Sequence, residues 1–396
     1  MRSSRVLVAI ILFPLIVMLE RLAHFGALTL LPQIITAPPA LGGLDLSPTE
    51  VESASLLQAG IGLLAPLIGG ATALAVGARR LLVLSAVLSV IAFAALAVAT
   101  AGSLTVIVVL LAVAGRLFFP NLYAVVAEQL AEARPMTLAA LFAGLAAATN
   151  LGSFFGGFGA MFVGSALGGS SSGFLLSLIL AAVLMTLVTG ALAVAFALDR
   201  EPAAPRPGAP KPVRALLLLA AVTAPLCLIA NLQKDLPPAP SDLLRFALQS
   251  GVAAGVQLLV LAAFITLAAV GSRAPLLIPL GGGLLASALG GALWLGGFDV
   301  VALVLADLGG QIAVPLTLAL IAAVTPRRYA PVVFALWMTW DRLWAALASL
   351  GGTGAPAWVV AVCTLGCVVA GAGLLVRGRS IDASRFSTPV TAPGAA

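Results

Sequence analysis

Charged residues are scarce in this sequence. Asp, Glu, Lys and Arg make up 9% of its 396 residues, whereas 62% of the residues are hydrophobic and the mean hydropathy is +1.18. Apolar stretches long enough to cross a bilayer recur along almost the whole chain, and no segment has the composition of a soluble domain. The sequence therefore predicts a polytopic membrane protein whose main partner is the lipid bilayer.

Cysteine and histidine are nearly absent. Cys227, Cys363 and Cys367 lie inside apolar segments without metal-type or redox-type spacing, and His24 is the only histidine. Because no nucleophile–base set and no metal constellation is visible, we expect neither an enzyme nor a cofactor. The net charge of +6 does not indicate a nucleic-acid partner, since excess Lys and Arg in a membrane protein usually records its topology.

Breaking the chain at Gly, Pro and charge clusters, with about 20 apolar residues per span, predicts an all-α fold of twelve transmembrane helices. The predicted spans are 6–36, 51–76, 81–100, 104–127, 136–163, 174–198, 215–232, 243–270, 275–296, 299–324, 329–351 and 356–376.

The loops predict both the orientation and the division of the chain. With the N-terminus inside, the outer loops hold only Lys234 and Arg245, and every other loop Lys or Arg lies inside. We therefore expect a multi-pass protein of the cell (inner) membrane with both termini in the cytoplasm. Residues 199–214, rich in proline and basic residues, form a predicted cytoplasmic linker between two six-helix bundles, 1–198 and 215–376. The polar tail, 377–396, is predicted to be disordered.

Several motifs carry a family resemblance when their order and spacing are taken together. They are ERLAHFG at 20–26, PLIGGATALAVGARR at 66–80, FFPN at 118–121, NLGSFFGG from Asn150, and LGGQIAVPLTLALIAAVTP at 308–326. Together they resemble the proton-dependent oligopeptide transporter family of the major facilitator superfamily. The resemblance implies a symporter working by alternating access, with two bundles related by a pseudo-two-fold axis along the membrane normal. The solute would be a small organic, peptide-like or anionic molecule, with protons as the candidate coupling ion.

The departures from that family concern its proton-coupling residues. Val17 stands where the family has the first glutamate of its first-helix signature, and Gly310 where it has the helix-ten glutamate. Leu74 replaces the acidic residue of the loop motif, and Phe119 replaces the lysine before Pro-Asn. These losses support an alternative function, a transport-inactive relative that acts as a sensor or as a membrane subunit of a complex. Apart from the complex named in that alternative, we expect the protein to be a monomer.

The candidate site for substrate binding or coupling is a layer of polar residues inside the spans, and Glu20 is the residue expected to carry proton coupling. At about 1.5 Å per residue, its members lie roughly 17 to 23 Å from the cytoplasmic ends of their helices. They are Glu20, Arg21, Arg116, Asn150, Gln311, Asp341 and Arg342. Transporter sites commonly lie near this depth, and guanidinium groups suit a carboxylate or another anion. The structural alternative is that Glu20 and Asp341 only form ion pairs that hold helices together.

Two further residues extend the candidate site. His24 lies one turn beyond Glu20 and either titrates as a proton carrier or simply lines the cavity. Asp307, one turn outward from Gln311, is a candidate outer-gate or cation-site residue. Trp337, Trp340 and Trp344 recur at helical spacing and form either a packing stripe or a surface for stacking on the solute.

Overall fold

The computed structural model describes residues 8–41, 43–130, 133–166, 171–198, 212–232, 242–270, 275–349 and 357–385. Within these ranges the chain forms twelve long α-helices, single turns of π- or 3₁₀-helix, and no strand. The helices are α1 (Phe13–Thr36), α2 (Pro48–Val76), α3 (Ala78–Ala97), α4 (Ala101–Gln129), α5 (Pro135–Ala166), α6 (Ser171–Leu198), α7 (Pro212–Leu232), α8 (Asp242–Ala269), α9 (Leu277–Leu295), α10 (Asp299–Val324), α11 (Ala330–Ser349) and α12 (Ala357–Arg385). Each helix corresponds to one predicted span, and the predicted all-α fold is confirmed.

The largest differences from the predicted boundaries lie at the chain ends and the linker. A π-helical turn, Val8–Leu12, leads into α1, and α12 continues to Arg385, inside the segment predicted as a disordered tail. The helix α7 begins at Pro212, inside the predicted linker. Most of that linker, 199–211, and the last residues, 386–396, lie outside the described residues.

Local sequence signals explain several helix ends. Before α2, the Ser47 hydroxyl and backbone N–H both donate to the Glu50 carboxylate at 2.8 Å, which closes a capping box. Thr100 and Ser103 form a similar box before α4. Gly77 separates α2 from α3 with φ +93°, a backbone conformation that glycine adopts without the cost a side chain would add.

Ten of the described helices contain stretches long and apolar enough to cross a membrane. The apolar stretch of α7, Val213–Ile229, is shorter, and α11 carries Asp341 and Arg342 along its length. Large apolar side chains such as Leu259, Val106 and Leu365 are exposed on the outside of the bundle. Exposed apolar side chains on a helical bundle of this composition are what lipid contact requires.

Glycines bring helices close together within each six-helix set. On α5, a methyl group at Gly156 would lie 2.5 Å from the backbone oxygen of Leu22 on α1 and 3.1 Å from the nitrogen of Gly26. On α9, a methyl group at Gly283 would lie 3.0 Å from the backbone oxygen of Gly309 on α10. Small residues at such crossings let two backbones approach, which is the usual packing of helices in membranes.

Contacts between the first and last six helices run mainly along two pairs, α2 with α11 and α5 with α8. A six-helix shift relates these pairs, because α2 becomes α8 and α5 becomes α11. Each pair contains a hydrogen bond from a C-terminal side chain to an N-terminal backbone carbonyl. Gln257 Nε2 donates to the Ala143 oxygen at 3.2 Å, and Thr339 Oγ1 donates to the Leu63 oxygen at 3.3 Å.

An aromatic cluster joins the two sets at one end of the bundle. Tyr123 of α4, Phe142 of α5 and Phe334 of α11 have ring centroids 5.7 to 6.1 Å apart, and both phenylalanines are fully buried. This end carries the α2–α3, α4–α5 and α10–α11 connections. At the opposite end, the described residues of α1 and α7 make no comparable contact. The two sets are therefore closed against each other at the end that holds the aromatic cluster.

Candidate functional site

Glu20 and Arg21 form a forked ion pair on α1. Arg21 Nη2 donates to Glu20 Oε1 at 2.6 Å, and Arg21 Nε donates to Glu20 Oε2. Side chains of adjacent residues leave a helix in different directions, so the long arginine side chain must fold back to reach its neighbour. Glu20 is 1% exposed, and its carboxylate is satisfied within its own helix.

The rest of the Arg21 guanidinium lies on aromatic rings. Its Cζ is 4.4 Å from the ring centroid of Phe119 on α4 and 5.7 Å from that of Phe25. Arg21 Cβ packs against α5, where a methyl group at Gly152 would lie 2.8 Å from it. A cation over a ring face is attracted by the ring quadrupole, so Phe119 holds Arg21 without neutralising its charge.

Arg116 of α4 occupies a space left by a glycine on α2. A methyl group at Gly62 would lie 3.3 Å from Arg116 Nε. Four charged side chains lie close enough to interact electrostatically with Arg116. They are Arg342, Arg21, Asp341 and Glu20. Three helices, α1, α4 and α11, thus bring five charged side chains together. We call these five residues (Glu20, Arg21, Arg116, Asp341 and Arg342) the charged layer.

Asp341 of α11 faces Cys227, a residue that the sequence did not indicate as part of the site. The thiol of Cys227 on α7 lies close to the Asp341 carboxylate. Cys227 is buried next to Cys367 of α12. No spacing rule links a cysteine of α7 to an aspartate of α11, and only the packing of these helices shows the contact.

The tryptophans of α11 flank Asp341 and Arg342. The rings of Trp340 and Trp344 meet edge to face with centroids 5.3 Å apart, and Trp337 is 9% exposed. The indole Nε1 atoms of Trp340 and Trp344 are both buried, and neither has a hydrogen-bond partner within the described ranges. The three tryptophans therefore form a packing stripe, which is one of the two predicted alternatives. The stripe also places two unused indole N–H donors beside the charged layer.

His24 lies between aromatic and backbone neighbours. Its Cε1 would be 3.0 Å from a methyl group at Gly115 of α4, and its ring meets Phe93 and Phe25 edge to face at 6.3 and 6.2 Å. The charged side chains that interact electrostatically with the imidazole are Arg21 and Arg116. The imidazole thus borders the charged layer, where it is packed among rings.

The remaining predicted residues lie apart from these contacts. Asn150 is half-buried on α5, two residues before Gly152, and no hydrogen bond between described residues joins it to the charged layer. On α10, Gln311 Nε2 donates to Asp307 Oδ1 at 3.2 Å. Within the described ranges, no three His, Cys, Asp or Glu side chains come together in a way that could hold a metal ion.

Comparisons with known proteins identify the family and the fold. A family model described as the Major Facilitator Superfamily matches residues 9–349. Among solved structures, a peptide transporter POT in complex with sulfate aligns over 96% of both chains with 17% identity and a TM-score of 0.63. A mutant peptide transporter POT in complex with alafosfalin aligns over 95% of this chain and 96% of its own, with 16% identity and a TM-score of 0.59.

At such low identity the structural likeness shows the fold, and a comparison with curated proteins finds no match. The predicted resemblance to the superfamily and to its peptide transporters is confirmed. The family model covers most of the chain, including the helices that carry the charged layer. The chain belongs to the Major Facilitator Superfamily.

Proposed function

We propose that this protein is a secondary transporter that works by alternating access and binds a small organic anion, peptide-like molecules included, at the charged layer. The observation that carries the proposal is the charge balance of that layer. Three guanidinium groups, Arg21, Arg116 and Arg342, stand beside two carboxylates, Glu20 and Asp341. Among the described residues, one positive charge of this layer has no carboxylate to balance it at membrane depth, where uncompensated charge is expensive.

The geometry of the guanidinium groups supports recognition of an anion. Arg21 is fixed by Glu20 and by the Phe119 ring, and Arg116 fits against Gly62, so neither side chain has to be ordered when a solute arrives. Guanidinium groups remain ionised and offer forked donors that match carboxylate or phosphonate oxygens. The unused indole donors of Trp340 and Trp344 add two neutral hydrogen-bond donors at the same level.

The contacts between the helix sets support alternating access. The pairs α2–α11 and α5–α8 provide surfaces on which one set can rock against the other. The Tyr123, Phe142 and Phe334 cluster closes one end. In the other conformation of the transport cycle, these rings would separate and the other end of the bundle would close.

We also infer that the protein lies in a cell (inner) membrane and that the closed end faces the cytoplasm. The described connections at that end carry Arg79, Arg80, Arg134, Arg327 and Arg328. An excess of Arg and Lys marks cytoplasmic loops. On this orientation the conformation described here would open toward the outside and receive solute from there.

A ligand screen tests the proposal directly. Purified protein would be melted in the presence of dipeptides, carboxylates and sulfate, with choline and glucose as cationic and uncharged controls. A ligand that binds only the folded state raises its stability, by about 2.7 kcal/mol at a concentration of 100 Kd. We expect at least one anion to raise the melting temperature, and choline and glucose to leave it unchanged.

Two matched variants assign the effect to the charged layer. Arg116→Gln should abolish the anion-dependent shift, whereas Arg214→Gln, the same change at an exposed position near the start of α7, should keep it. Uptake of the best anion into proteoliposomes then tests transport. If no anion stabilises the protein, or if Arg116→Gln responds as wild type does, the proposed binding site is wrong. If an anion binds but is not taken up, the non-transporting alternative becomes the better function.

A further inference from the structure

Asp307 on α10 has an unusual carboxylate. Oδ1 accepts a hydrogen bond from Gln311 Nε2 at 3.2 Å, and Oδ2 is buried with no hydrogen-bond partner in the part of the chain that the structure describes. A buried polar atom without a partner costs free energy, and an ionised carboxylate costs considerably more. The structure therefore contains a carboxyl group at membrane depth with one oxygen free to carry a proton.

Among the described residues, no charged side chain on the helices around α10 compensates Asp307. The helix α10 as a whole packs against α4, α5, α7, α8, α9 and α11. The ionisable side chains on these helices are Arg116 and Glu128 on α4, Arg214 and Cys227 on α7, Asp242 and Arg245 on α8, Tyr123 on α4, and Asp341 and Arg342 on α11. In the part of the chain that the structure describes, none of these side chains interacts electrostatically with Asp307. Its hydrogen-bonding neighbour is the neutral amide of Gln311.

This environment separates Asp307 from the other carboxylates of the spans. Glu20 is held by both arms of Arg21, and Asp341 stands beside Arg342 and Arg116. Each of these two carboxylates therefore has a guanidinium group beside it. Asp307 has no guanidinium partner among the described residues, so taking up a proton is the direct way to remove its charge.

The face of α10 that carries Asp307 also carries Gly310. Gly310 lies three residues further on, and a methyl group there would meet no atom within 4 Å. The opposite face of α10 is tightly packed, since a methyl group at Gly309 would overlap Ser287 and the backbone of Gly283 on α9. Gly310 thus borders open space one turn from the carboxylate.

We propose that Asp307 is a proton-binding carboxyl group that alternates between its neutral and charged forms, with Gln311 holding it in place. Its part in coupling rests on the proposed transport function. In that cycle, Asp307 would take up a proton from one side of the membrane and release it to the other. The coupling role would thus lie with an aspartate one turn from Gly310, apart from the charged layer that binds the anion.

Infrared spectroscopy of the full-length purified protein tests the proton site without any solute. A neutral carboxyl group has a C=O stretching band that disappears when the group ionises. Difference spectra would be recorded between mildly acidic and mildly alkaline pH for wild type, Asp307→Asn, Asp307→Glu, Glu20→Gln and Glu52→Gln. Glu52 is exposed near the start of α2 and serves as the control carboxylate.

We expect a titrating band in wild type that is absent from Asp307→Asn, displaced in Asp307→Glu, and kept in Glu20→Gln and Glu52→Gln. A band that survives in Asp307→Asn, or the lack of one in wild type, overturns the proposal. If Asp307→Asn does not fold, a band that is not displaced in Asp307→Glu overturns it equally. Sodium-dependent stabilisation of wild type without a titrating band would show a metal-cation site and also overturn the proton assignment. A band assigned to Asp307 in a protein that binds no anion supports the proton site and removes the proposed function instead.

Discussion

The guanidinium of Arg21 lies over the ring of Phe119, with Cζ 4.4 Å from the ring centroid. The two residues belong to α1 and α4 and are almost a hundred positions apart in the chain. The resembled family has a lysine where Phe119 stands, and a lysine here would place another positive charge against Arg21. A phenylalanine attracts the cation through its ring face and leaves the positive charge of Arg21 in place.

The first prediction concerns this contact. Phe119→Leu should remove an interaction of roughly 0.5 to 2 kcal/mol and free the Arg21 side chain. The expected result is a lower melting temperature together with weaker binding of the anion identified in the ligand screen. Phe118→Leu is the matched control, because Phe118 is equally buried and its ring contacts Phe119. Equal losses of anion affinity in both variants would show that the Arg21 contact has no special role.

The second prediction concerns the space beside Arg116. Gly62→Leu places a side chain where a methyl group is already 3.3 Å from Arg116 Nε, so the guanidinium must move. We expect anion binding to weaken at least tenfold, measured by the concentration dependence of the melting temperature. Gly60→Leu, half a turn away, is the control because a methyl group there meets no atom within 4 Å. Retained affinity in Gly62→Leu would remove Arg116 from the binding site.

The third prediction concerns the ion pair on α1. Glu20→Gln leaves the Arg21 guanidinium without its carboxylate, and breaking a buried pair in this way costs about 3 to 5 kcal/mol. The unpartnered charge should then be compensated by the solute. We expect a lower melting temperature without ligand and a larger anion-dependent increase than in wild type.

Glu128→Gln is the comparison for that experiment. Glu128 pairs with Arg79 at 3.4 Å near the end of α4, and both side chains are about one-third exposed. Partly exposed pairs contribute little, so this variant should change stability by less than about 1 kcal/mol and show the anion response of wild type. If Glu20→Gln behaves as Glu128→Gln does, the charge balance of the layer does not determine binding.

The fourth prediction concerns orientation. Phe298 and Tyr329 are exposed aromatic residues that flank the two ends of α10. In intact cells, a membrane-impermeant thiol reagent should label Phe298→Cys and should reach Tyr329→Cys only after permeabilisation. Wild type serves as background, because Cys227, Cys363 and Cys367 are buried. Labelling of Tyr329→Cys from outside would reverse the proposed topology.

Much of the site was visible in the sequence because charge is rare there. Each ionisable residue inside a span stands out against apolar neighbours, and the estimated depths placed Arg21, Arg116 and Arg342 at one level. The depth of a residue in its helix does not show the direction in which its side chain points, however. Neither the burial of the Trp340 and Trp344 indole nitrogens nor the orientation of His24 toward Gly115 could be predicted, because both depend on how each helix is rotated against its neighbours.

The sequence by itself determined the number of helices and nearly all their boundaries. A chain in lipid must satisfy its backbone hydrogen bonds within each span, so long apolar runs become helices, and residues such as Ser47 and Gly77 mark their ends. Tertiary structure alone decided the partners. Arg21 folds back on Glu20, Cys227 meets Asp341, and Asp307 keeps one oxygen unpaired. The physical reason is that side-chain partners across a bundle depend on helix rotation and close approach, which glycines such as Gly62 and Gly152 permit but do not encode in any local pattern.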